Sequence, residues 1–291
     1  MSSNLTASAR PPALAHPEGI VLSAVEEIRK YRAAVRPLVL DTGVEQYPIG
    51  LCGACFMAVS HGQLFLVTAR HLVEGLHNGQ VRCLPTDKSM RRLPLSRGVG
   101  TITDDVADDV DAIVYPASVV GLSKKTVRAA SVLNLDAPGF KTWKPSAHAS
   151  TFVVVGYPRQ HSEIDYEKQL ANAGQIAIPA TYDSPRSGSS VLHRLRAQND
   201  LHLNDFGGFS GGAVFSVEQQ IAAPPITRFC GMAVEGTAES GLLSLIDCSA
   251  LVNLMHSAQA HIQDFGLELA LPLSRKNPTK ALVKKVRAMK R

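Results

Sequence analysis

From residue 35 to about residue 247 the chain is written in short apolar runs. They read LVL, ACFMAV, LFLVTA, AIVY, TFVVVGYP, QIAIPATY, SVLHRLRA, GAVFSV, FCGMAV and LLSLI, with Gly, Pro, Asp or Asn between them. Runs of that length bounded by turn residues are strands. Many of them in succession, with few helical windows, predict an antiparallel barrel or sandwich. Helical spacing survives in two places. In GIVLSAVEEIRKYRAAV (18–34), Val21, Val25, Ile28 and Tyr31 fall on one stripe, and CSALVNLMHSAQAHI (248–262) reads as a helix closing the domain. The expected organisation is a disordered start and amphipathic helix over 1–34, a β domain over 35–262 and a C-terminal tail over 263–291. No internal repeat of fixed period appears, although two barrels of similar texture fit the number of runs.

At 291 residues, 45% apolar and 19% charged, the chain has the make-up of an ordinary globular protein and can bury a large core. No apolar run approaches the roughly eighteen residues of a membrane span. The start, MSSNLTASARPPALAHPEG, lacks a basic region followed by an apolar one, so no secretory signal is expected. Five cysteines in that setting are expected as reduced thiols in a cytoplasm. Cys52 and Cys55 form a C-x-x-C without a second half, and core or strand cysteines are the preferred reading over a zinc or redox site. No metal, nucleotide or other cofactor motif is found.

The net charge of +5 is unevenly placed. Eight of the 30 Lys and Arg lie between Arg275 and Arg291, a stretch without an acid, which leaves 22 basic against 25 acidic residues, a net charge of −3. In NPTKALVKKVRAMKR the apolar Leu282, Val283, Val286 and Met289 fall on one side of a basic helix. Three fates compete: docking on the protein's own acidic body, binding an acidic partner or membrane surface, and remaining a solvated end; packing on the protein itself or on a partner protein is expected over nucleic acid.

Within NDFGGFSGGAVF (204–215), four glycines surround Ser210. Glycine lets backbone N–H groups come close to a reacting atom, although a glycine-rich hairpin turn would look the same. Two other segments bear on the choice. LFLVTARHLVEG ends a strong strand at His71, and DDVDAIVYPA sets Asp111 directly before another strand. A nucleophilic serine needs an imidazole to take its proton, a carboxylate to fix that imidazole's tautomer and N–H donors for the oxyanion. His71, Asp111, Ser210 and the N–H groups of Gly208 and Ser210 can fill these roles. Asp109 is the competing acid, but it would leave charged Asp111 inside an apolar strand. G208-F209-S210-G211-G212 also satisfies the nucleophile elbow of an α/β hydrolase, with Asp247 and His256 following. That elbow must lead into a helix, whereas GAVFSV is rich in β-formers.

LVTARHLV, DAIVY and GFSGGAVF resemble the histidine, aspartate and serine motifs of trypsin-like, chymotrypsin-fold serine peptidases of the bacterial HtrA-related type. VVVGYP (153–158) is similar to the family's strand before the second barrel's long hairpin, and GMAVEG (231–236) to its substrate-pairing strand. The match spans about residues 35–262. The resemblance implies two six-stranded antiparallel barrels, split near 140–150, with a helix at the N-terminus and helices at the C-terminus. It implies a serine endopeptidase with catalytic His71, Asp111 and Ser210 and an oxyanion hole at Gly208 and Ser210. Where secreted relatives carry an activating Asp before the serine, this chain has Phe209. Where they carry a cysteine after the histidine, it has Leu72.

The resemblance also points to Asn204 and Asp205 at the base of the specificity pocket, to Gly236 and Gly241 on its walls, and to Val234, Glu235 and Gly236 along the bound substrate. An acid at the base would favour Arg or Lys before the cut, with Glu235 or Glu239 as the next candidates, although Asp205 can equally be a solvated loop acid. The expected partner is a protein or peptide substrate of narrow range, with regulation by a cellular partner, and the family suggests stress or antiviral defence. The alternative is a catalytically inactive module of the same fold that binds peptides along a strand edge.

Overall fold

The computed structural model describes residues 23–76, 80–84, 93–94, 99–100, 110–116, 131–143, 150–168, 170–198, 203–220 and 222–264. Asp109 and the basic tail lie outside them, as does Val21.

The first half is one sheet. Its strands are β1 (Val35–Asp41), β2 (Ile49–Ser60), β3 (Gln63–Ala69), β4 (Val81–Cys83), β5 (Leu93–Pro94), β6 (Val99–Gly100), β7 (Ala112–Pro116) and β8 (Leu133–Asn134). They run in the order β5-β4-β1-β2-β3-β7-β6, with β8 added parallel to β2. β3 is buried along its whole length, as its unbroken apolar run requires. The β2–β3 hairpin turns at His61 and Gly62, both with positive φ (50° and 73°), the geometry of a two-residue hairpin loop. Asp136 accepts hydrogen bonds from both N–H groups of that turn, at 2.8 and 3.0 Å.

The second half contains β9 (Ser150–Gly156), the hairpin β10 (Ser162–Asp165) and β11 (Leu170–Ala173), then β12 (Ile176–Pro185), β13 (Leu192–Ala197), β14 (Ala213–Gln220), β15 (Ala223–Thr237) and β16 (Leu242–Asp247). β12-β13-β16-β15-β14-β9 closes into a six-stranded antiparallel barrel. A closed barrel beside a larger antiparallel sheet is the double-barrel, chymotrypsin-like architecture. Among the described residues the first half is an open half-barrel and only the second closes.

Helices seal the structure at both ends. Residues 23–27 are helical and lead into α1 (Arg29–Arg32). Ala24 and Ile28 are buried, and Tyr31 stacks on Phe215 at 5.4 Å. α2 (Cys248–Asp264) follows β16 directly, and Asp247 is its cap: Oδ1 accepts from Ser249 N–H at 2.7 Å, and Oδ2 from Trp143 Nε1–H at 2.9 Å. Leu251, Leu254, Met255 and Ala258, spaced i, i+3, i+4 and i+7, face the core. No helix among the described residues is long and apolar enough to cross a membrane.

One core runs through both halves. Phe56 of β2 meets Phe229 of β15 edge-on at 5.4 Å, a contact of about 0.5–1.5 kcal/mol beyond the buried area. Tyr157 donates from its hydroxyl to Val35 C=O at 3.0 Å, and Gln175 ties that hydroxyl to Arg32. The cysteines belong to this interior. All five are free, and burial pushes the Cys52 thiol up to about 12 and Cys55 well above its ordinary value. Cys55 and Cys83 bring their sulfurs to 3.6 Å. β1 lies between their strands, so the two are not direct cross-strand neighbours. No cluster among the described residues has the makings of a metal site.

Candidate active site

β3 and β7 are neighbours, with Ala69 opposite Ala112, so the residues leaving one strand and entering the other meet at one end of the sheet. His71 sits in the single 3-10 turn Arg70–Leu72 after β3, and Asp111 directly precedes β7. The carboxylate grips the histidine twice. Oδ1 accepts from the His71 backbone N–H at 2.9 Å, and Oδ2 accepts from ring Nδ1. With its proton held on Nδ1, the imidazole presents Nε2 as an acceptor. The same hydrogen bond raises the His71 pKa above its usual value against partial desolvation, helped by the charges of Asp111, Glu235 and Glu74.

The serine loop is fixed through its carbonyls. Phe206 C=O accepts from Phe209 N–H (3.1 Å), Gly208 C=O from Tyr157 N–H (2.9 Å), Phe209 C=O from Gly212 N–H (2.8 Å) and Ser210 C=O from Ala54 N–H (2.9 Å). Gly211 N–H goes to Ala233 C=O at 2.8 Å. The N–H groups of Gly208 and Ser210 remain, and neither has an acceptor among the described residues. Three of the glycines are sterically required. A Cβ on Gly208 (φ 97°) would lie 2.0 Å from Tyr157 C=O, one on Gly211 (φ 82°) 1.9 Å from Ala54 C=O and one on Gly212 2.0 Å from Val155 C=O. Phe209 is buried against Phe206, with ring centroids 6.1 Å apart, so no charge is needed to hold this loop.

His71, Asp111 and Ser210 line one cleft of about 550 Å³. The Ser210 hydroxyl donates to Val234 C=O at 2.6 Å and makes no hydrogen bond to His71. Beyond Ala233, β15 has left β14 and pairs with β16 alone. The backbone of Val234, Glu235 and Gly236 therefore forms an open strand edge beside Ser210.

The rest of the expected pocket lies elsewhere. Asp205 is exposed, and its Oδ1 accepts from Gly207 N–H at 2.7 Å, while Asn204 N–H is bound to Gln160 Oε1 at 3.0 Å. Neither lines the cleft. An Asp two residues before a free N–H closes a local turn, and that competes with reaching into a pocket. Gly241 (φ 66°) belongs to the β15–β16 turn, its N–H on Thr237 C=O at 3.0 Å, and Glu239 is exposed in the same turn.

In their place stand Leu192, Phe206 and Gly207, with Arg186 paired to Glu235 at 2.6 Å. Sequence reasoning missed Arg186 and Leu192 because they come from the β12–β13 connection and the first position of β13, which carry no motif. Phe206 could have been found as the apolar residue inside the glycine run. The elbow alternative is not assembled: Ser210 leads into strand β14, Asp247 caps α2, and His256 stacks on His61 at 5.2 Å.

No family model and no curated protein matches the chain. Among solved structures it is similar to an inactivated protease paralogue of the scabies mite, at 13% identity and a TM-score of 0.48, over 79% of this chain and 96% of that one. It is also similar to a serine endoprotease from Yersinia pestis, at 14% identity and a TM-score of 0.48, over 80% of this chain; the match spans 65% of the length of that one. One of the two is inactivated, and likeness at this level says nothing about catalysis.

Proposed function

We propose that the chain is a serine endopeptidase acting on an extended protein segment. The observation that carries this reading is the convergence on one cleft of Ser210 and the Asp111–His71 pair, with the N–H groups of Gly208 and Ser210 unengaged in the serine loop. The Ser210 hydroxyl leaves Val234 C=O, transfers its proton to His71 Nε2 and attacks the peptide carbonyl. Asp111 holds the imidazolium that results, and the N–H groups of Gly208 and Ser210 bind the oxyanion. His71 then returns the proton to the leaving amine, and water repeats the sequence on the acyl-enzyme. The open edge at Val234–Gly236 takes the acyl half of the substrate as an added strand.

Leu192, Phe206 and Val234 support an apolar side chain before the cut bond, in place of the basic one that Asp205 at the pocket base would have selected. Arg186 and Glu235 neutralise each other at the rim. Five free thiols support a reducing compartment such as the cytoplasm, where a narrow substrate range and control by a partner would limit damage.

A second reading is a peptide-binding module, favoured by the Ser210 hydroxyl resting on Val234 C=O. A fluorophosphonate probe separates the two, because it needs an activated serine oxygen to displace fluoride. Labelling of the wild-type chain and none of Ser210→Ala is expected, with peptide turnover lowered by several orders of magnitude in Ser210→Ala and His71→Ala. An unlabelled, folded wild-type chain would sink the peptidase.

A further inference from the structure

Gln175 lies between β11 and β12 and does not line the catalytic cleft, yet both polar atoms of its side chain are engaged. Its Oε1 accepts from Arg32 Nε–H at 3.0 Å, which fixes the orientation of the amide, because a guanidinium can only donate. Nε2 then faces three oxygens: the Tyr157 hydroxyl at 2.9 Å, Arg32 C=O at 2.9 Å and Val35 C=O at 3.2 Å. Arg32 returns through Nη2 to Gln175 C=O at 3.0 Å. One amide thus ties the junction of α1 and β1, in the first half of the chain, to the residue that follows β9, in the second.

Tyr157 matters because of what its backbone holds. Its N–H donates to Gly208 C=O at 2.9 Å, and its own C=O packs so close to Gly208 that a Cβ there would lie 2.0 Å away. Gly208 is docked on Tyr157 at two points, so a shift of the Tyr157 backbone is a shift of Gly208. That backbone is held in turn by the side chain. The ring is buried, and its hydroxyl donates to Val35 C=O at 3.0 Å while accepting from Gln175. An oxyanion donor works only within about 2.7–3.1 Å of the oxyanion, so a small displacement of Gly208 is felt in turnover.

We infer that Gln175 is a positioning residue for the oxyanion loop: it fixes the Tyr157 ring, and through it the Gly208 main chain that carries one of the two oxyanion N–H groups. This rests on the peptidase reading above. A reacting geometry is kept by the hydrogen bonds behind the groups that make it. The end of α1 thereby becomes part of what shapes the catalytic loop, although neither Arg32 nor Gln175 touches the substrate.

The test uses the full chain, a peptidyl coumarin amide with an apolar residue before the cut, and amide hydrogen exchange of the segment that contains Tyr157, read by mass spectrometry. Gln175→Met keeps the bulk of the side chain and removes its hydrogen bonds. Its kcat is expected to fall about tenfold, a fraction of the 10²- to 10³-fold that loss of an oxyanion donor costs, with KM within about twofold of wild type. Tyr157→Phe, which also serves if the first variant does not fold, should show the same signature. The double variant should be no worse than the more impaired single one, because both remove the same link. Thr227→Val removes a different hydrogen bond of the N-terminal helix, Thr227 Oγ1 to Glu27 Oε1 at 3.3 Å, and should leave kcat unchanged. A folded Gln175→Met protein with wild-type kcat, or effects that add in the double variant, overturns the assignment. Exchange needs no turnover: the Tyr157 segment should exchange faster in Gln175→Met than in wild type or Thr227→Val, and equal rates overturn the anchoring whatever the activity. Wild type that neither cleaves the amide nor takes up the fluorophosphonate sinks the peptidase reading, and a role for Gln175 in turnover falls with it.

Discussion

Replacing Asp111 with Asn keeps the shape of the side chain and removes one acceptor, and the site geometry fixes the consequence for catalysis. His71 points two donors at this residue, its backbone N–H and its ring Nδ1–H, and each now has a carboxylate oxygen. Asparagine has one oxygen to offer. If that oxygen stays on the backbone N–H, the amide NH2 faces Nδ1, which must then accept. The ring proton moves to Nε2, and the imidazole can no longer take a proton from Ser210. The opposite orientation keeps the productive tautomer but sets two N–H donors against each other, at a cost of about 1–3 kcal/mol. The working tautomer is thereby depleted by roughly 5- to 150-fold. Loss of the charge-assisted bond to the imidazolium removes about 1.5–3 kcal/mol more from the transition state. Together these predict a fall in kcat/KM of roughly 10²- to 10⁴-fold. The assay is hydrolysis of a coumarin amide near pH 8, with the melting temperature measured beside it. A folded Asp111→Asn protein within tenfold of wild type would refute the assignment of Asp111 as the group that orients His71.

The pH profile is set by the same pair. His71 must be neutral to act as a base, and its pKa is raised above 6.5 chiefly by the bond to Asp111, so activity should fall as pH drops through a midpoint above 6.5. A kcat/KM limb centred below 6.5 would contradict the pair, whereas Asp111→Asn should move the limb of any residual activity toward acid. The thiols give a prediction about stability. Burial keeps Cys52 and Cys55 protonated, and all five thiols are free. A thiol reagent such as dithionitrobenzoate should react with the fully buried Cys55 and Cys83 only on unfolding, as checked by counting reactive thiols before and after adding denaturant.

The strand positions were readable because each run is shorter than a helix needs and ends at a turn residue, and α2 because its apolar spacing changes to i, i+3, i+4. Other features escaped the sequence for particular physical reasons. The run FCGMAV is only the centre of β15, which begins at Ala223 and carries Pro224 and Pro225. Prolines argue against a strand, but here they fall where the β14–β15 register shifts between Glu218 and Gln220, so no ladder donor is lost. The parallel addition of β8 to β2 could not be read, since a two-residue strand has no periodicity. The pocket was misplaced for a related reason. Counting back six residues from Ser210 assumes a loop shape, and the Asp205 carboxylate took the nearest backbone donor instead.

The glycines around Ser210 show how far a motif reaches and where the fold takes over. Glycine makes the loop conformation accessible, yet the two unengaged donors depend on where the carbonyls go. Gly208 C=O is held by Tyr157, which comes directly after β9 in the closed barrel, and Ser210 C=O by Ala54 of β2 in the open sheet. Each half of the molecule fixes one carbonyl. With both fixed, the intervening peptide planes have little freedom, and the N–H groups of Gly208 and Ser210 are left without acceptors among the described residues. Any change that moved the sheets relative to each other would therefore shift both anchors, and with them the two unengaged N–H groups, together.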